Sequence, residues 1–278
     1  MRKPLFFTFK KKKAPPLIVH FCYHKAMTVY FNRVFMSLAK EADWYFKSYK
    51  WFEFDEFTED IQNLKKESLL MVGPSLNVID LLPRRYLGSH IVRDPRDLLV
   101  SGYKYHKWAQ EPWIHERLNE AMINRLVLKG FKLDFDYSNM SYQQLINSVD
   151  QTVGLEIELN WRTNSLNHMF DWDYQNPMVM ELRYENVFGN EVETFTELFK
   201  HYSFDNKMTE IGIKFVRHFS FENQKETGKT GDNQHLTMGV SGQWKEYFSD
   251  ELKAIFKERH QDLLVKLGYE QDDSWCTI

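Results

Sequence analysis

The stretch Leu17-Ile18-Val19-His20-Phe21-Cys22-Tyr23 constrains the fold most. It is a short, nearly unbroken apolar run, preceded by Pro15-Pro16 and closed by the polar loop His24-Lys25-Ala26-Met27-Thr28. A run of this length that is apolar at odd and even positions alike fits a parallel strand buried on both faces. Beyond the loop, Phe31, Val34, Phe35 and Leu38 recur at helical spacing. That starts a helix close to Thr28, a residue of the N-cap type. The unit is strand, tight loop, helix.

The chain repeats this unit. Ser89–Val92 reads as a strand, with Pro95 where the first helical turn tolerates a missing N–H. Ser68–Val72, ending at Gly73-Pro74, and Met178–Leu182 read as two more strands. Later, Val192, Phe195, Phe199 and Tyr202 share a helical face, as do Leu252, Ile255, Phe256, Leu263, Leu264 and Leu267. Ser249 caps the last helix and Gly268 ends it. Alternating strands and helices predict an α/β fold with a central parallel sheet flanked by helices. With 278 residues and 43% apolar side chains, one large core is affordable. The expected organisation is a single domain over residues 17–278 after a basic N-terminal extension over 1–16. Residues 106 to about 161 show no strand pattern and carry Trp108, Trp113 and Trp161. They read as a helical insertion that walls an acceptor site.

Charge and composition narrow the partners. A net charge of −3 provides no general field for nucleic acid, so any anion site must be local. The Lys10–Lys13 run reads as a solvated extension. Cys22 and Cys276 are far apart and show no CxxC spacing, which gives neither a disulfide framework nor a zinc site. No apolar stretch approaches the roughly 20 residues that span a bilayer. The Leu5–Phe9 segment after Arg2-Lys3 is too short for a secretory core. A soluble, cytoplasmic protein without an integral membrane segment is expected.

Two loops carry the chemistry. Between a buried strand and a helix, unpaired N–H groups and the helix dipole attract anions, and Lys25 adds a full charge. A nucleotide kinase would need GxxxxGK[ST] here, and both glycines are missing. In Ile91-Val92-Arg93-Asp94-Pro95-Arg96-Asp97-Leu98-Leu99-Val100-Ser101-Gly102-Tyr103, Arg93 ends a strand and Ser101 follows about two turns into the helix. Open α/β sheets bind ligands at that end, and arginine offers a fork matched to phosphate. The plainer alternative is an ion-pair cluster of Arg93, Arg96 and Asp97 at a helix start.

Together these segments resemble the sulfotransferase superfamily. His24-Lys25-Ala26-Met27-Thr28-Val29-Tyr30 stands in the place of its PKSGTTW phosphosulfate loop. Arg93 and Ser101 match its 3′-phosphate residues, and Leu182-Arg183-Tyr184-Glu185-Asn186 resembles its YED segment. Ser220-Phe221-Glu222 resembles its SF segment near the adenine, and Gly239-Val240-Ser241-Gly242-Gln243-Trp244-Lys245 its GxxGDWK loop. The resemblance spans about residues 17 to 270, in family order. It implies a P-loop-kinase-like fold and metal-independent, in-line transfer of a sulfuryl group from 3′-phosphoadenosine 5′-phosphosulfate to a hydroxyl or amine acceptor. Lys25 would neutralise the leaving oxygen, while Ala26, Met27, Thr28, Val29, Tyr30, Arg93, Ser101, Tyr184, Ser220, Phe221, Gly239 and Gly242 would hold the donor.

The chain departs from the pattern at several positions. Met27 replaces a glycine, Tyr30 a tryptophan, and Thr237-Met238 an Arg-Lys pair for which Arg96, Lys229 or His235 would have to compensate. The histidine that follows the second strand in the cytosolic branch is absent from Met71-Val72-Gly73-Pro74. Other branches use a glutamate beyond the phosphosulfate loop, which makes Glu53 the first candidate base and Asp55 the next. His24 and His106 also fall near the expected site. Acceptor class (sugar, lipid or small aromatic) and oligomeric state are open. The rival readings are a small-molecule kinase on a related fold and a non-catalytic nucleotide-binding module.

Overall fold

Each apolar run becomes a strand, and one further strand joins them. The computed structural model describes residues 17–50, 53–64, 66–73, 78–83, 85–127, 132–223 and 240–276. The chain runs β1 (Leu17–Cys22), α1 (Thr28–Glu41), β2 (Tyr45–Tyr49), α2 (Phe54–Asn63), β3 (Ser68–Val72), β4 (Leu87–Val92) and α3 (Pro95–His106). It continues through α4 (Pro112–His115), α5 (Glu120–Val127), α6 (Tyr142–Asn147), α7 (Gln151–Asp171) and β5 (Val179–Arg183). After these come α8 (Tyr184–Val187), α9 (Glu191–His201), α10 (Asn206–Phe219), α11 (Trp244–Tyr247) and α12 (Asp250–Lys266). Ser249 caps α12 by accepting the Leu252 N–H at 3.2 Å, and Gly268 follows it with φ of 68°.

The five strands are parallel in the order β2-β3-β1-β4-β5. Strand β1 is buried at every position. Ile18 and Cys22 face the larger core with Phe31, Val34, Phe35 and Leu38 of α1, while Leu17, Val19 and Phe21 pack with Leu70, Val72 and Trp172 on the other side. That two-sided burial is why β1 reads as continuous apolar sequence. Strand β2 is the one the sequence hides. Tyr45-Phe46-Lys47-Ser48-Tyr49 sits at the sheet edge, mostly half-buried, so its alternation is weak.

The order fixes where a ligand can enter. From β1 the chain builds outward to β2 and β3 on one side, and β4 and β5 lie on the other. The loops leaving β1 and β4 therefore diverge at the carboxyl edge and open a crevice at this switch point.

Residues 106–161 hold α4, α5, α6 and the first half of α7, and none of their described residues joins the sheet. Among the described residues, no helix is long and apolar enough to cross a membrane. One local expectation is corrected. The α1 cap position is Met27, whose backbone is left-handed, and the Thr28 hydroxyl instead donates to the Tyr23 carbonyl at 2.9 Å.

Candidate active site

The loop after β1 turns back tightly before α1. The Ala26 N–H closes the turn on the Tyr23 carbonyl at 3.0 Å, and Lys25 and Met27 adopt φ of 70° and 58°. A left-handed residue other than glycine costs about 1–2 kcal/mol. Met27 thus keeps, at a cost, the conformation that a glycine at this position would supply. The first α1 N–H bonded to a backbone carbonyl is that of Phe31, on Met27. Those of Thr28, Val29 and Tyr30 precede it, as donors at the positive end of the helix dipole.

Lys25 extends from this turn with its ammonium 4.0 Å from the Tyr105 ring centre. Burial first, then the like charges of Arg93 and Arg162, lower its pKa to about 8. Arg93, at the end of β4, donates from Nη1 to the Lys25 carbonyl at 3.0 Å and lies over the Tyr184 ring at 4.2 Å. Its Nε and Nη2 are buried with no hydrogen-bond partner among the described residues, in a residue only 2% exposed. A buried cation with two unspent donors is a costly arrangement that an anion relieves. Ser101 is buried two turns along α3.

The rings expected near an adenine form a chain. Tyr184 stacks on Phe188 at 5.7 Å between centres, and Phe188 contacts Phe221 at 5.3 Å. Tyr30 meets Phe195 edge-on, and its hydroxyl donates to the Val216 carbonyl at 3.0 Å. Ser220 serves its own turn: it donates to the Arg217 carbonyl at 2.9 Å and accepts the Asn223 N–H at 3.3 Å. Gly242, at φ of 84°, is pinned to α3 because Asp97 accepts its N–H at 2.5 Å and that of Trp244 at 2.9 Å. Gly239, Thr237, Met238, Lys229 and His235 lie outside the described residues, as do the extension over 1–16 and Pro74.

Arg96, one of the candidates to compensate for the missing basic pair, already has anionic partners. It is bonded to Asp94 at 3.0 and 2.8 Å and to Glu270, and it stacks on Trp244 at 3.8 Å. Its role is to lock the start of α3 to the chain beyond α12.

The carboxylates whose charge reaches Lys25 are Glu111 and Glu158. Glu53 belongs to the turn before α2, where its Oε2 accepts the Lys50 N–H at 2.8 Å, and Asp55 is exposed. Glu111 accepts from the Tyr105 hydroxyl through Oε1, while its Oε2 is buried without a partner among the described residues. Glu158, at 0% exposure, accepts from His106 Nδ1 at 2.8 Å, the Tyr142 hydroxyl at 2.7 Å and Arg162 Nε at 2.8 Å. Burial pushes its carboxyl up, but the Arg162 guanidinium and the hydrogen bonds from His106 and Arg162 outweigh it and hold it below the ordinary carboxylate range. Burial lowers the His106 pKa, so that ring is neutral at pH 7 and donates from Nδ1. Arg162 Nη2 then meets two ring nitrogens as acceptors, His24 Nδ1 at 2.6 Å and His106 Nε2 at 3.3 Å. Sequence reasoning missed Glu111, Glu158 and Arg162. The signal present was an i,i+4 charge pair on α7, which usually marks a solvated face.

This crevice joins a lysine-bearing turn at a helix N-terminus to an arginine, with two donors unpartnered among the described residues, at the end of the neighbouring strand in the sheet. No curated protein matches the sequence. The crystal structure of mouse sulfotransferase SULT7A1 complexed with PAP is similar in fold, at 19% identity over 90% of this chain and 84% of that one, with a TM-score of 0.51. Retinol dehydratase, solved with androsterone and inactive cofactor PAP, aligns at 13% identity over 90% and 81%, with a TM-score of 0.47. The profile of the Sulfotransferase domain matches residues 18–268, so the chain belongs to the sulfotransferase domain family.

Proposed function

We propose that this protein transfers a sulfuryl group from 3′-phosphoadenosine 5′-phosphosulfate to an acceptor hydroxyl. The observation that carries the reading is Arg93, which is buried, has two donors without a partner among the described residues and is clamped to the turn that bears Lys25. A phosphate fits that guanidinium better than any neutral group, because it satisfies both donors and the charge at once. The α1 N–H groups of Thr28, Val29 and Tyr30 would hold the 5′-phosphate, and Arg93 with Ser101 the 3′-phosphate. Tyr184, Phe188 and Phe221 offer ring surface for the adenosine.

In-line transfer of this kind asks the protein mainly to position groups and to stabilise charge. Lys25 stabilises the oxygen that leaves with the adenosine bisphosphate. Glu111 is better placed than Glu53 to take the acceptor's proton, since its second carboxylate oxygen, without a partner among the described residues, is buried one ring away from Lys25. Trp113 and Trp161 stack at 5.4 Å, 2° from parallel, and form a flat apolar wall beside His106. Such a wall suits an acceptor with a ring, aromatic or sugar.

The test is release of adenosine 3′,5′-bisphosphate from the phosphosulfate donor across a panel of phenols, sterols and sugars, without ATP. Lys25→Ala is expected to lower kcat by at least 100-fold while changing bisphosphate affinity less than tenfold, because its charge matters most in the transition state. Turnover that requires magnesium-ATP would refute the reading.

A further inference from the structure

Arg162 has no counterpart among the residues singled out in the sequence, yet it is the side chain through which the donor loop meets the acceptor wall. It rises from α7 beside Trp161, and its Nη2 bonds to His24, the residue preceding Lys25. The same nitrogen bonds to His106, which meets Trp113 edge-on at 5.4 Å and Tyr142 at 5.5 Å. Its Nε is tied to a carboxylate that Tyr142 and His106 also hold. Three elements thus fix the guanidinium. Nη1, by contrast, makes no hydrogen bond among the described residues.

The group being transferred must lie between the donor's 5′-phosphate and the acceptor. A cation touching both the loop and the wall stands at that boundary. The 3′-phosphate is provided for by Arg93 and the 5′-phosphate by the α1 amides, which leaves the sulfuryl oxygens for a third group.

We propose that Arg162, held by Glu158 and His106, binds the sulfuryl oxygens of the donor next to Lys25. The inference rests on the donor reading given above. As the acceptor oxygen bonds to sulfur, the bond from sulfur to the bridging oxygen breaks and its electron pair leaves with the bisphosphate. The acceptor's proton passes to Glu111. Arg162 keeps its proton throughout and hydrogen-bonds the oxygens that carry the charge of the loose transition state.

The alternative is that Arg162 only neutralises buried Glu158. Calorimetric titration with the phosphosulfate and with adenosine 3′,5′-bisphosphate, in the absence of acceptor, separates the two. Glu158→Gln with Arg162→Gln removes both charges and so leaves no unpaired buried ion. That double variant should bind the phosphosulfate at least about tenfold more weakly while bisphosphate affinity changes by less than about threefold, as expected for loss of a hydrogen bond to a charged group. If it does not fold, Arg162→Lys keeps the charge without the fork and should show the same selectivity at a smaller loss. Equal losses for both nucleotides, or none, would overturn the proposal. Wild-type protein that binds neither nucleotide would overturn the donor reading itself.

Discussion

At the scale of single residues, Lys25 and Met27 show how much the loop gives up for its geometry. Lys25 loses its proton at about pH 8 in the free enzyme rather than at 10.5, because burial, Arg93 and Arg162 disfavour its charge. A lysine needed as a cation predicts that kcat/KM falls above about pH 8, which a pH–rate profile measures directly. Lys25→Arg should move that limb upward, since arginine stays protonated. The sign for stability is opposite: between about pH 8 and 10.5 the unfolded chain binds more protons, so the Lys25 contribution grows as pH rises. Met27, at φ of 58°, predicts that Met27→Gly is more stable than Met27→Ala by about 1 kcal/mol in urea denaturation. The reverse order would show that the turn is not strained.

At the scale of elements, helices α3 and α7 are fitted to each other through one glycine. A Cβ at Gly102 would lie 2.3 Å from Glu158 Oε1, and three hydrogen bonds hold that carboxylate in place. Gly102→Ala should therefore destabilise by about 1–3 kcal/mol and lower activity with it, as thermal melts and kinetics would show. The unit β1–loop–α1 was legible in sequence because a strand buried on both faces leaves a nearly unbroken apolar run, whereas β4–α3 was legible from Ile91-Val92 followed by Pro95 in the first helical turn, since Gly88, Ser89 and His90 interrupt the apolar pattern of β4. Strand β2 was not, since an edge strand such as Tyr45–Tyr49 needs only partial burial. Nor was the Glu158–Arg162 pair. Its neighbours His106 and Tyr142 come from α3 and α6, and only tertiary packing turns an ordinary helical ion pair into a buried network. Arg96 shows the converse, for its sequence position suits phosphate while its contacts with Asp94, Glu270 and Trp244 commit it to structure.

At the scale of the whole molecule, the sheet itself responds to acid. His20 lies at the centre of β1, stacked on Phe31 at 4.1 Å and bonded to Ser89 at 2.6 Å, and burial, then His90, lowers its pKa from 6.5 to about 3. A histidine buried neutral contributes stability above pH 6.5 that is lost progressively as pH falls toward 3, because the unfolded chain takes up the proton first. His20→Phe should flatten the stability profile over that range, and an unchanged slope would place the acid sensitivity elsewhere. The sheet order gives this core its purpose: it sets the β1 and β4 loops on either side of one crevice, so that Arg93 reaches the carbonyl of Lys25. Arg93 is proposed to read a 3′-phosphate at this junction, and calorimetry with adenosine 3′,5′-bisphosphate and adenosine 5′-monophosphate decides it. Wild-type protein is expected to prefer the bisphosphate at least about tenfold, and Arg93→Ala to abolish the preference. Equal affinity for the two nucleotides in the wild type, or a preference that survives the substitution, would contradict it.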